Sequence, residues 1–233
     1  MDGDSISFDD RVNRRKALFG TAALGSAFAL AAQPVQAQTM IVTDGNGIMT
    51  GEVEVRTKDG RMMRAYQAMP SSGAGWGTIL VIQEIFGVHV HITDICRRFA
   101  KAGYYAIAPE LYFRQGDPQT KADIPSLIKD IVSRVTDEQV ASDLDSTVAF
   151  VKAEGKADTG KLGVTGFCWG GRQVWLYDAH NPDVKAGVAW YGPLVNSTSP
   201  ASTANPVDVV GKLNGPVQGL YGGADTGIPN ESV

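Results

Sequence analysis

Residues 161–171 read Lys-Leu-Gly-Val-Thr-Gly-Phe-Cys-Trp-Gly-Gly, and the fold depends on how this stretch is read. Lys161–Thr165 is the apolar run expected of a buried strand. Gly170–Ala179 reads as a helix. Cys168 stands between them in a G-x-C-x-G pattern, the thiol version of the tight strand–turn–helix that presents a nucleophile. Such a turn forces a strained backbone on its apex, and the residues two before and two after must be small to avoid collision. It also sets the thiol at a helix N-terminus, where the dipole favours a thiolate. The plainer reading is a glycine-rich packing turn with an inert cysteine. A phosphate loop is a poorer fit, because neither G-x-G-x-x-G nor Gly-Lys-Ser/Thr occurs here.

Outward from this turn, buried runs alternate with amphipathic stretches. Thr78–Gln83 (TILVIQ) is nearly all apolar, as expected of a strand covered on both faces. His91–Ala102 places Ile92, Ile95 and Phe99 on one helical face, and Gly103 ends it. Tyr104–Ala108 is the next strand. Helices are predicted near 124–135 and 137–153, the second with Val140, Leu144, Val148 and Val151 in one stripe. Ala186–Trp190 and Pro216–Tyr221 complete the set of strands. Before them, Val53–Thr57 and Met62–Met69 flank Lys58-Asp59-Gly60, a hairpin signal. This order predicts an α/β fold: a mostly parallel sheet flanked by helices after an antiparallel start, with its chemistry at the carboxyl ends of the strands.

Composition narrows the function. The chain has 233 residues, 43% hydrophobic and 20% charged, enough for one α/β domain. Its net charge of −4 comes without a basic patch, so no nucleic-acid partner is expected. Cys96 and Cys168 are its two cysteines, too few for a disulfide framework or a four-ligand zinc site, so no metal or cofactor is expected. No stable membrane span is expected either. Residues 11–37 run from a basic segment with Arg14-Arg15, through the mild apolar stretch Ala17–Ala32, to Val35-Gln36-Ala37 with small residues at −3 and −1. That is the order of a secretory signal, and the paired arginines suggest the twin-arginine route. Residues 1–37 are thus expected to be a signal handed to the twin-arginine export machinery, delivering residues 38–233 to the periplasm or beyond. An amphipathic helix that stays attached is the alternative.

Two further loops leave predicted strands with chemically apt residues. Gln83-Glu84-Ile85-Phe86-Gly87 follows TILVIQ, and the Ile85 N–H would join that of Trp169 in an oxyanion hole. Glu84 reads equally as a solvated turn residue. Asp225, in Tyr221-Gly222-Gly223-Ala224-Asp225, follows the last strand. There it fits an orienting acid that comes after the nucleophile in the chain, or a plain loop aspartate. His89, His91 and His180 all precede Asp225. His91 opens a helix, and His180 is placed to cap one.

Together, IQEIFG (82–87), HITDICRRFAKAGYYAIAPELY (91–112), GKLGVTGFCWGG (160–171), VAWYG (188–192) and GGADTGIP (222–229) resemble the dienelactone hydrolase, or carboxymethylenebutenolidase, family of the α/β-hydrolase superfamily. The resemblance implies an α/β-hydrolase fold in which Cys168 attacks a small lactone or ester carbonyl and forms an acyl-enzyme. It further implies that Asp225 orients a histidine, that Glu84 helps activate the thiol, and that Arg114 binds the substrate carboxylate with its two-pronged guanidinium. The family pattern continues past the acid loop with a strand, a Gly-His motif and a closing helix. This sequence ends at Val233, so a domain incomplete at its C-terminus, with last strand and helix missing, is expected. Two functions remain open: a cysteine-nucleophile hydrolase, and an inactive or binding-only relative that lacks the triad histidine. A thiol redox protein is a third, without a C-x-x-C motif to support it. The sequence carries no signal for oligomeric state.

Overall fold

The computed structural model describes residues 41–195, 201–202 and 204–233. The signal assigned to residues 1–37 lies outside them. Among the described residues the strands are β1 (Ile48–Arg56), β2 (Met62–Pro70), β3 (Trp76–Ile82), β4 (Tyr105–Pro109), β5 (Ala157–Phe167), β6 (Val184–Trp190) and β7 (Val217–Leu220). The α-helices are α1 (Val90–Lys101), α2 (Ile124–Asp130), α3 (Asp137–Glu154) and α4 (Trp169–His180).

The strands form one sheet in the order β1-β2-β4-β3-β5-β6-β7. β1 and β2 make the expected antiparallel hairpin, pairing Ile48 with Pro70 through to Arg56 with Met62, and β2 is also antiparallel to β4. The remaining pairs are parallel. This is the predicted mostly parallel α/β sheet with an antiparallel start. One apolar layer sets α2, α3 and α4 on one face through Leu127, Val140, Leu144, Val151 and Val174. On the other face α1 buries Ile92, Cys96 and Ala100, a stripe at i, i+4 and i+8. Covering both faces explains why β3 and β4 read as unbroken apolar runs rather than alternating ones.

Local chemistry fixes the helix ends. Thr136 caps α3 by accepting a hydrogen bond from the Gln139 N–H at 3.1 Å. Asp137 and Glu138 sit in its first turn, and Gly155 closes it at φ 68°. The helix predicted over 124–135 is shorter. It ends at Asp130 and continues as a 3₁₀ turn over Val132–Arg134. The reason is the cap that follows: Val135 and Thr136 must be extended for Thr136 to start α3. No helix among the described residues is long and apolar enough to cross a membrane.

Register places the functional loops. Ile82 of β3 pairs with Gly166 of β5, Phe167 with Trp190 of β6, and Trp190 with Leu220 of β7. The segments that leave these four strands, beginning with Gln83, Cys168, Tyr191 and Tyr221, therefore open at one end of the sheet.

Candidate active site

Cys168 occupies the apex between β5 and α4 at φ 57° and ψ −119°, a conformation that costs a non-glycine residue about 1–3 kcal/mol. Contacts on both sides hold it there. The Cys168 N–H donates to Trp190 O at 2.9 Å, and Cys168 O accepts from the Arg172 N–H at 3.3 Å. The small residues predicted around it are needed for the predicted reason. A Cβ on Gly166 would lie 2.4 Å from Gly170 O, one on Gly170 2.4 Å from Gln83 O, and one on Gly171 2.5 Å from Trp190 O. The start of α4 therefore rests directly on the backbones at the ends of β3 and β6. Arg172, one turn into α4, is buried and forms a bidentate pair with Asp137 at 2.7 and 2.9 Å. That pair ties the turn to the first residue of α3.

The thiol is 3% exposed. Burial first, then the charge of Glu84, push it up to about 12, the charge of Asp225 adds to this, and the Trp169 N–H pulls the other way. Burial and two carboxylates thus work against the thiolate that a helix N-terminus favours, and they outweigh the one amide.

Glu84 follows the end of β3, and the loop around it is pinned from both sides. Buried Gln83 accepts the Leu111 N–H at 3.1 Å, and Gly87 turns the chain at φ 77° so that its N–H reaches Glu84 O at 3.3 Å. The Ile85 side chain is 1% exposed and packs in the same apolar layer as Trp169. The plain reading of Glu84 as a solvated turn residue fails, because it is 7% exposed. One carboxylate oxygen, Oε2, faces His89 Nε2 at 3.2 Å and His91 Nδ1 at 3.7 Å. The other, Oε1, accepts from the Tyr191 hydroxyl at 3.2 Å. Burial raises its pKa, but the two histidines outweigh burial and bring it to about 2. Sequence reasoning expected no metal-ligating set, yet Glu84, His89 and His91 bring three such groups within 4.8 Å of one another. The spacing matches no standard motif, and only the turn at Gly87 folds the two histidines back over the carboxylate.

Tyr191 and Tyr112 are the other site residues that the sequence did not reveal. Tyr191 sits at φ 39° directly after β6, where its hydroxyl can reach Glu84. Tyr112 is fully buried, with its ring 5.0 Å from that of Trp169. Gln83 lies near enough to the Tyr112 hydroxyl to act on the phenol, but neither that hydroxyl nor Gln83 Nε2 makes a hydrogen bond of sound geometry among the described residues. Burial, and then the charge of a Cys168 thiolate, push the phenol well up.

Asp225 stands on the loop after β7, half-buried, with Oδ1 accepting the Gly227 N–H at 2.8 Å. The chain's three histidines bond elsewhere: His89 and His91 to Glu84, and His180 Nε2 to Asp145 Oδ2 of α3 at 3.1 Å. His180 is therefore no helix cap; the Asn181 N–H closes α4 by donating to Tyr177 O. Arg114, expected to bind the substrate carboxylate, is engaged by acids of the protein itself. Its guanidinium makes a bidentate pair with Asp143 of α3 at 2.5 and 2.9 Å and a third bond to Asp59 of the β1–β2 turn at 2.9 Å. With Asp143 fully buried, the guanidinium supplies its counter-charge and ties α3 to the β1–β2 turn.

A cavity of about 310 Å³ lies against Arg64, Tyr66, Phe86, His89, Glu110 and Phe113, and Cys168 is not in its lining. It touches the site through His89.

The profile of the dienelactone hydrolase family matches residues 63–233. The chain belongs to the dienelactone hydrolase family. Membership brings the reaction class with it, hydrolysis of an ester or lactone bond. A Methylorubrum extorquens protein named "Putative carboxymethylenebutenolidase" is 57% identical over 229 residues, 98% of this chain and 78% of its own length. A Salmonella typhimurium protein of the same name is 54% identical over 209 residues, 89% of this chain and 76% of its own. The crystal structure of a "Putative Dienelactone Hydrolase" from Klebsiella pneumoniae superposes with a TM-score of 0.77 at 52% identity, covering 80% of this chain and 78% of that one. This dienelactone hydrolase family member therefore shares its fold with a solved relative at high identity.

Proposed function

We propose that the chain hydrolyses small lactones or carboxylic esters through an acyl-enzyme on Cys168. The observation that carries the proposal is the backbone at Cys168. It is held at φ 57° by glycines that touch neighbouring backbones, at the N-terminus of α4 and the carboxyl end of the sheet. Strain of this kind persists only where the surroundings over-determine it, and it collects at functional sites.

In the reaction, the Cys168 sulfur adds to the carbonyl carbon and the thiol gives up its proton. The carbonyl oxygen takes the developing negative charge opposite the N–H groups of Trp169 and Ile85. As the tetrahedral species collapses, the carbon–oxygen bond breaks, and the alcohol or enol oxygen leaves with a proton. Water then cleaves the thioester, releasing a carboxylate and restoring the thiol. At rest the thiol is neutral, so its ionisation belongs to the complex with substrate. Asp225 is the orienting acid in this reading; its Oδ1 accepts the Gly227 N–H, and the chain's three histidines pair with Glu84 and Asp145 instead. Glu84 keeps the resting thiol protonated through its charge. Arg114 is left out, because Asp143 and Asp59 occupy it.

The test measures hydrolysis of p-nitrophenyl acetate and a dienelactone. It uses the chain, a chimera that continues after Val233 with the C-terminal segment of the Methylorubrum extorquens relative, and Cys168→Ala versions of both. Acylation and turnover that vanish with Cys168→Ala are expected. Turnover that survives Cys168→Ala, or a folded chimera that binds lactone without acylation, overturns the reading; the second result describes a binding-only relative.

We infer also that residues 1–37 direct twin-arginine export, on the strength of Arg14-Arg15, the mild apolar stretch and the Val35-Gln36-Ala37 end. A reporter fused after residue 37 that stays in the cytoplasm when Arg14 and Arg15 are intact would remove this inference.

A further inference from the structure

The geometry points to a divalent metal site at Glu84, His89 and His91, a two-histidine, one-carboxylate set that suits zinc. Imidazole nitrogens and a carboxylate oxygen bind zinc at about 2.0–2.2 Å, which puts neighbouring ligand atoms of a tetrahedral site about 3.3 Å apart. Here Glu84 Oε2 lies 3.2 Å from His89 Nε2 and 3.7 Å from His91 Nδ1. All three ligand atoms fall within 4.8 Å of one another. Closing on a common ion needs only a modest approach of side chains on one short loop and the first turn of α1.

The hydrogen bonds behind these atoms supply a second, independent observation. His89 Nδ1 lies 3.1 Å from Gly87 O. A carbonyl only accepts, so Nδ1 carries the hydrogen. The other ring nitrogen, Nε2, is thereby aimed at the Glu84 carboxylate. A ring nitrogen and a carboxylate oxygen held 3.2 Å apart in a site only 7% exposed at Glu84 form a sheltered place for one cation, a proton or a metal ion. Behind the carboxylate, the Tyr191 hydroxyl holds Oε1 at 3.2 Å. A carbonyl fixing the far nitrogen of a histidine, and a hydroxyl fixing the far oxygen of a carboxylate, are the outer partners that metal ligands ordinarily have.

Access and coordination number fit as well. The His91 side chain is 38% exposed while those of His89 and Glu84 are 13% and 9%. The set therefore has two sheltered ligands and one at the mouth. Three protein ligands leave a zinc ion a position open, which distinguishes such sites from closed structural ones. The His91 ring also packs edge-on against Phe167 at 5.1 Å, the residue before Cys168. The ion would stand beside the thiol without using it as a ligand.

Zinc(II) and cobalt(II) are titrated into the folded chain and its Cys168→Ala form, against a competing chelator. The Cys168→Ala form removes the thiol as a ligand, and cobalt reports its ligand set by visible absorption. One equivalent bound in both forms is expected, weakened at least tenfold in His89→Ala and in His91→Ala, with His180→Ala unchanged. His91→Ala alters a half-exposed side chain, and thermal melting without metal verifies its fold. A site that holds only a proton would show no stoichiometric metal binding, and that result overturns the proposal. So does binding that survives loss of both His89 and His91, or that falls equally in His180→Ala.

Discussion

Cys96 and Cys168 are alike by the measures usually applied to a thiol. Both are buried, both are free, and burial pushes both up in pKa. They differ in what surrounds them. Cys96 sits in the middle of α1, on its buried stripe with Ile92 and Ala100 against the sheet. Burial is the sole influence raising its pKa, and no charge of a neighbour is felt there. Cys168 begins a helix instead of riding in one. Its backbone is left-handed, the Trp169 N–H lies against its sulfur, and two carboxylates, Glu84 and Asp225, act on it. The comparison teaches that neither burial nor a raised pKa marks a nucleophile. Backbone geometry and the charged groups brought to one end of the sheet do so.

The largest expected effect tests that difference directly. Cys168→Ala should lower ester or lactone hydrolysis at least about 10⁴-fold, as removal of a covalent nucleophile does. Cys96→Ala should leave kcat/KM unchanged within experimental scatter while costing some stability for the small cavity it leaves. Kinetics on the two variants side by side check this, and comparable losses in both would collapse the distinction between the thiols.

A second test moves the comparison to the ends of the two helices. Gly170→Ala drives a Cβ to 2.4 Å from Gln83 O and 2.6 Å from Ile82 O, both backbone atoms that cannot step aside. It should cost roughly 3 kcal/mol or more in chemical denaturation, or prevent folding. Gly103→Ala, just past the C-terminus of α1, has φ 92° but nothing within 4 Å of the added atom, so strain alone should cost about 1 kcal/mol. Equal costs would mean that the interlocked backbones at the elbow do not hold Cys168 in place.

A third test separates the catalytic end from the Arg114 corner. Arg114→Ala leaves Asp143, fully buried at its side chain, without its bidentate partner. Breaking such a pair should destabilise the protein by roughly 3 kcal/mol. If Arg114 is structural, KM for a carboxylate-bearing lactone should stay within a few-fold of the parent where the variant is folded. A large rise in KM with unchanged stability would return Arg114 to the substrate-binding role that the resemblance implied.

These contrasts show what was legible in the sequence. The alternation of apolar runs with amphipathic helices gave the sheet and its two covered faces, because periodicity is a local property. The spacing of Gly166, Cys168 and Gly170 gave the elbow, because one backbone collision dictates all three. The expected thiolate at Cys168 was not met, because its charge state depends on the distant Glu84 and Asp225 and on burial, none of which sequence spacing reports. The partnership of Arg114 with Asp59 and Asp143 joins residues 55 and 29 positions apart. The cluster of Glu84 with His89 and His91 was missed although its members are close in sequence. It exists only because Gly87 reverses the loop, and Tyr191, 107 positions away, completes it.

The smallest effect isolates the charge that distinguishes the two thiols. Each thiol has a pKa raised on folding, so each contributes stability that is complete below its ordinary value of 9.0 and is lost as pH rises through the folded value. A stability curve above pH 9 therefore has the same sign for both and cannot tell them apart. Glu84 can, because its charge raises Cys168 and does not act on Cys96. Glu84→Gln removes that charge while keeping an oxygen to accept the Tyr191 hydroxyl. Cys168, pushed up to about 12 in the parent, should then ionise at lower pH. Its alkylation by a small reagent between pH 8 and 10 should quicken a few-fold, with Cys96 labelling unchanged. Mass spectrometry of the two cysteine peptides over time reads both rates in one sample. Equal acceleration at Cys96 would indicate general loosening of the fold. No change at Cys168 would show that the carboxylate beside the nucleophile does not set its charge, leaving burial alone to account for a thiol that is neutral until substrate arrives.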